Sequence, residues 1–97
     1  MKLKILESAK ADLQQGFYFY ESQEKGVGHY FLESLFSDIE SLRLFAGIHA
    51  IFFGKYHRLL SKRFPFAVYY RVEENEVRVY AVLDCRRDPA WIRNRLQ

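Results

Sequence analysis

Apolar positions along this chain change period several times, and each change marks a different kind of element. Lys2-Leu3-Lys4-Ile5-Leu6 alternates charged and apolar residues, the pattern of a half-buried strand, and Ser8 then offers a helix N-cap. From Ala9 the apolar residues recur at Leu13, Phe17 and Tyr20, steps of three and four that line one side of a helix, with Gly16 leaving room there for a close neighbour. This stripe reads as core. Ser22 to Gly26 is polar and ends in glycine, which turns the chain. Val27, Phe31, Leu35, Ile39 and Leu42 then follow helical spacing, widened by Leu32 and Phe36; Glu33, Asp38, Glu40 and Arg43 are left for solvent, and Gly47 is the stop. Two helices joined by so short a connector pack antiparallel as a helical hairpin.

Residues 48–56 are apolar without a period and read as an irregular packed connector. Strand signals begin at His57. Arg58 to Arg63 is one strand, Phe64-Pro65 breaks it, Phe66 to Val72 is a second, and after Glu73 to Glu76 a third runs from Val77 to Asp84. Phe66, Val68, Tyr70 and Val72 share one face of the second strand, as Val77, Val79, Ala81 and Leu83 do on the third. Setting Val72 opposite Val77 brings Tyr70 to Val79 and Val68 to Ala81 inside, and Tyr69 to Tyr80 and Arg71 to Arg78 outside. Two readings of that outer face stand: Glu73 and Glu76 relieve the like-charged pair, or a basic-aromatic surface awaits an acidic partner. Asp88-Pro89 joins a favoured N-cap to a favoured first helical residue, so a last helix carries Trp91, Ile92 and Leu96, with Arg93 and Arg95 near its C-terminal end. The expected class is α+β: an N-terminal strand, an antiparallel helical hairpin, a three-strand antiparallel meander and a short C-terminal helix.

Composition narrows the rest. With 97 residues, 49% hydrophobic and 18% aromatic, the chain supports one core, so residues 1–97 form a single domain. A net charge of +3 and a pI near 9.1 favour an acidic partner only mildly. The single cysteine, Cys85, excludes an intramolecular disulfide framework and fits a reducing cytoplasm. The apolar stretch at Leu3, Ile5 and Leu6 is cut at Glu7, too short for a signal peptide, and no later run approaches the roughly 18 apolar residues of a membrane span. The expectation is a soluble cytoplasmic protein with no membrane partner.

Candidate chemistry is sparse. His29, His49 and His57 lack the spacing of a helical metal pair, so no metal is expected. Glycines 16, 26, 28, 47 and 54 are scattered and form no phosphate loop, so neither a cofactor nor a small-molecule substrate is expected. Cys85 precedes two arginines that would lower its thiol pKa, but no adjacent base supports a nucleophile, and a bystander thiol is the better reading. Arg58, Lys62, Arg63, Arg71, Arg78, Arg86 and Arg87 concentrate cations on the sheet; they serve phosphate binding or guard an exposed edge against aggregation.

Three runs carry a resemblance: Tyr56-His57-Arg58-Leu59-Leu60, Phe64-Pro65-Phe66-Ala67-Val68-Tyr69-Tyr70-Arg71-Val72, and Val79-Tyr80-Ala81-Val82-Leu83 leading into Arg86-Arg87-Asp88-Pro89. Together they resemble the RelE/ParE superfamily of bacterial toxins, and most of all its ParE branch. The resemblance implies the toxin half of a type II toxin-antitoxin pair, neutralised by a cognate antitoxin whose flexible C-terminal segment wraps it. RelE-like members cut messenger RNA on the ribosome with a Lys, Arg and Tyr cluster. Here Ala67 stands at the position resembling their central-strand arginine and no Tyr follows Tyr80, so that constellation is incomplete; a nuclease would have to rely on Arg58, Lys62 and Arg86. ParE-like members poison DNA gyrase by protein contact, without catalytic residues, and this is the preferred expectation. The residues expected to contact antitoxin or target are Tyr69, Arg71, Arg78, Tyr80, Arg86, Arg87 and Trp91. A reading from another class is a small RNA-binding module that stacks bases on exposed Tyr69 and Tyr80.

Overall fold

In a computed structural model that describes residues 1–97, the order of elements is β1 (Lys2–Ile5), α1 (Glu7–Gln23), α2 (Val27–Glu40), α3 (Leu42–Phe45), β2 (Ile51–Phe52), β3 (Tyr56–Leu60), β4 (Phe66–Glu73), β5 (Glu76–Asp84) and α4 (Pro89–Leu96). The class and the order agree with the hydrophobic pattern, but the sheet is wider. It has five strands in the order β1-β5-β4-β3-β2. β1 lies parallel to β5, and every other pairing is antiparallel.

Residues 48–56 are not an irregular connector. Ile51 and Phe52 pair with His57 and Tyr56, and the reversal between them uses left-handed backbone at Phe53 and Gly54, φ 55 and 70. A two-residue strand is too short to show any alternation. The connector before it is pinned to the sheet by Tyr70, whose hydroxyl accepts from Gly47 N–H at 3.0 Å and is bonded to His49 Nδ1. Likewise β3 covers Tyr56–Leu60 rather than Arg58–Arg63. Asp38, expected in solvent, is only 7% exposed; it accepts from Ser61 Oγ at 2.8 Å and Lys62 N–H at 3.4 Å, which draws the chain out of the strand.

The β4/β5 register is the main correction. Val72 opposes Val77, Tyr70 opposes Val79 and Arg71 opposes Arg78, as expected. A bulge then intervenes: Tyr69 opposes Ala81 and Val68 opposes Val82, so Tyr80 has no partner across the ladder. After Tyr80, which keeps its outer place, the side chains change face. Val82, not Ala81 or Leu83, continues the inner face with Val77 and Val79. The backbone groups loosened here are taken up by side chains from α1. Ser8 Oγ donates to the Tyr80 carbonyl at 2.7 Å, and Asp12 Oδ2 accepts from Val82 N–H at 3.0 Å. Ser8 is therefore not the N-cap of α1; Leu6 holds that place without a side-chain cap.

The inner face of the sheet packs on α1, α2 and α3 through Ala9, Leu13, Phe31, Leu35, Ile39 and Leu42, against Val68, Tyr70, Val77, Val79 and Val82. Two glycines let the hairpin close. A Cβ on Gly16 would fall 2.5 Å from ring carbons of Phe31, and one on Gly28 would fall 2.7 Å from the Phe17 carbonyl. α2 lacks a capping side chain of its own, and Glu21 substitutes: its carboxylate accepts from Gly26 N–H at 3.0 Å and Gly28 N–H at 2.9 Å, which holds its pKa below the usual range. The stripe predicted as one helix to Gly47 breaks at Ser41, whose Oγ donates to the Asp38 carbonyl at 2.6 Å.

Candidate partner-binding cleft

On the other face of the sheet lies α4. Its start is the one that Asp88-Pro89 announces: Asp88 Oδ1 accepts from Ala90 N–H at 2.8 Å and Pro89 occupies the first turn. Ile92 and Leu96 bury against Tyr56, Ala67, Tyr69, Ala81 and Leu83, and the Tyr56 hydroxyl donates to the Leu96 carbonyl at 2.9 Å. Arg95 reaches across to Asp12, 2.7 Å away, and ties α4 to α1. Burial pushes the Asp12 carboxyl above its ordinary pKa, against the pull of Val82 N–H and Arg95.

This second layer removes Tyr69 from the exposed face on which it was expected, leaving it 3% exposed. Tyr80 packs edge-on against Tyr56 and its hydroxyl donates to Glu73 at 3.2 Å. The bulge thus replaces an open Tyr69/Tyr80 pair with a covered tyrosine and a hydrogen-bonded one. Arg71 and Arg78 lie at the hairpin end, where Arg71 is 3.0 Å from Glu73, and Arg78 is 3.1 Å from Glu73 and 2.8 Å from Glu76. Those two arginines are neutralised within the hairpin.

The turn after β5 places the remaining residues. Arg86 grips Asp84 with two nitrogens, at 2.9 and 2.6 Å, which raises the guanidinium pKa and lowers that of Asp84. Arg87 lies 4.0 Å above the Trp91 ring. Cys85 is exposed, yet desolvation raises its thiol pKa despite Arg58 and Arg86 nearby, opposite to the lowering expected from its arginines. Arg58 sits 3.8 Å over Phe52, and Lys62 is in the β3–β4 turn with its backbone on Asp38. Arg58 and Arg86 thus both lie near Cys85, Arg58 stacked on Phe52 and Arg86 paired with Asp84, while Lys62 is placed in the β3–β4 turn by its backbone.

Arg87 and Trp91 border a cleft of about 270 Å³ between α1 and α4, floored by Phe66, Val82 and Leu83 and faced by Phe19 from α1. Phe19 was not singled out in the sequence, although its place beside the core positions Phe17 and Tyr20 leaves it pointing away from the helical stripe. A larger apolar groove, about 450 Å³, runs outside the hairpin along Leu13, Phe17, Tyr18, Leu32 and Phe36. None of the expected contact residues lies there.

No family model and no curated protein sequence matches the chain. Among solved structures, it is similar to a chain of the chromosomal ParDE TA system from P. aeruginosa, with a TM-score of 0.78, 21% identity, and coverage of 84% of this chain and 92% of that one. The chain has a ParE-like fold. With a TM-score of that size over most of both chains, the strand, helical hairpin, sheet and last helix follow the fold of that chain. No helix of this ParE-like chain is long and apolar enough to cross a membrane.

Proposed function

We propose that the chain is the toxin component of a type II toxin-antitoxin pair, ParE-like, which inhibits DNA gyrase by protein contact in the cytoplasm and is neutralised by a cognate antitoxin. The observation that carries this reading is the ParE-like fold over most of the chain, shared with a component of a ParDE system. The cleft beside Arg87 and Trp91 supplies a surface on which a protein partner can dock. Contact rather than RNA cleavage is favoured because Arg86 is neutralised by Asp84 and Arg58 is stacked on Phe52, whereas a nuclease needs its acid, base and phosphate-binding groups on one scissile bond. The expected result is that expression of the chain alone arrests growth, and that purified protein inhibits gyrase supercoiling while leaving ribosome-bound mRNA intact. Unimpaired growth with folded protein present sinks the toxin reading; cleaved mRNA with normal supercoiling moves it to the RelE-like alternative.

A further inference from the structure

Size and charge together restrict what the cleft between α1 and α4 can hold. Its volume of about 270 Å³ falls below the roughly 300 Å³ at which small-molecule sites begin. It is room for a side chain, not for a cofactor. Of its three ionic lining residues, Asp12 is held by Arg95 at 2.7 Å and Asp84 by Arg86 at 2.6 Å. Arg87 alone has no carboxylate within ion-pair distance, and the neighbouring Asp88 is engaged in capping α4. Phe19 from α1 and Trp91 from α4 line the cleft 51% and 38% exposed, and Arg87 stacks on one face of the Trp91 ring.

We infer that this cleft takes one large apolar side chain of a partner polypeptide between Phe19 and Trp91, while a Glu or Asp of the same segment pairs with Arg87. The occupant is an acidic amphipathic segment. Its carboxylate supplies the single charge the cleft lacks, and its apolar anchor removes from water the exposed parts of Phe19 and Trp91. The chain's net charge of +3 has the sign that attracts such a segment. Nucleic acid fits less well, because a cleft holding two carboxylates and one open cation does not track a phosphate backbone. This deepens the partner-binding reading above and rests on it, yet its test needs neither growth nor gyrase.

Trp91 is the only tryptophan of the chain, so its emission reports on the cleft directly. Short random peptides displayed on phage are selected against the intact wild-type chain, and the recovered peptides are synthesised and titrated. Recovered peptides are expected to share a large apolar residue with a nearby Asp or Glu, to shift Trp91 emission saturably, and to bind Arg87→Gln and Phe19→Ala at least about tenfold more weakly. Arg93→Gln, whose guanidinium lies toward Phe53 rather than the cleft, is expected to bind as wild type does. Circular dichroism checks that both cleft variants are folded. An empty selection, peptides without an acidic residue, unchanged affinity for Arg87→Gln, or silent Trp91 emission overturns the inference. A chain that arrests growth while its peptides ignore Arg87 loses the cleft and keeps the toxin reading; the reverse pattern loses the toxin reading alone.

Discussion

The two faces of the sheet are covered in different ways. On the inner face, α1 and α2 bury twelve residues in one cluster, including Phe31, Leu35, Ile39 and Tyr70. Around it Tyr20, Phe31, Phe64 and Phe66 form an aromatic network with centroids 4.8 to 6.1 Å apart. On the outer face the single helix α4 completes a cluster of seven, to which it contributes only Ile92 and Leu96. The difference teaches where stability and adaptability reside. A layer held by two apolar side chains, one tyrosine hydroxyl and one ion pair opens locally at lower cost than a layer interlocked along two helices.

The largest effect that tests this contrast is expected from Phe31→Ala. Phe31 is fully buried, and its truncation should cost about 3 to 5 kcal/mol, lowering the denaturant midpoint as one cooperative transition. A loss confined to the hairpin, with the sheet still protected, would break the picture of a unified inner layer. Leu96→Ala comes next, at about 2 to 3 kcal/mol, and its signature is regional. Hydrogen exchange should accelerate in α4 well before β4 and β5; equal acceleration throughout would show that the outer layer is no more separable than the inner one.

Smaller changes sharpen the comparison. Asp88→Ala removes the cap from Ala90 N–H and should destabilise by about 1 kcal/mol, with faster exchange in the first turn of α4. His49 tests the inner side through pH. Burial, with a smaller contribution from His57, holds its pKa below the ordinary 6.5, and its Nδ1 meets the Tyr70 hydroxyl while its carbonyl accepts from His57 Nδ1 at 2.7 Å. The unfolded state then binds the proton more readily than the folded one. The contribution of His49 is fully present above pH 6.5 and is lost as pH falls through the lower folded-state pKa. His49→Asn should flatten the fall in stability below pH 6.5, while an unchanged slope would assign it to other groups.

The elements were legible because their signals are local. The helical stripe of Phe31, Leu35 and Ile39, the alternation in β4 and the Asp88-Pro89 start each depend on residues a few positions apart, and all three stand in the structure. The pairing of Arg71 with Arg78 was legible for the same reason, since a short hairpin turn sets the register beside it, and Glu73 with Glu76 relieves the repulsion as one reading anticipated. Beyond the bulge that reasoning fails. Nothing in Val79-Tyr80-Ala81-Val82 tells which residue drops out of the ladder, because every choice leaves an apolar residue on either face. The candidate residues divide accordingly: Arg87 and Trp91, beside a strong helix signal, border the cleft together with Phe19, which no stripe marks, whereas Tyr69, expected on the outer face, is buried.

The sequence by itself determined the α+β order, the core stripes and the start of the last helix, since period and capping are properties of adjacent residues. Only the tertiary structure decided that β1 joins the sheet parallel to β5, that Tyr80 is extruded, and that α4 covers Tyr69 while leaving the Phe19–Trp91 cleft open. Those outcomes depend on contacts between distant segments. Ser8 and Asp12 of α1 satisfy backbone groups of β5 at the bulge and beside it, across sequence separations of 72 and 70, contacts that no local pattern announces.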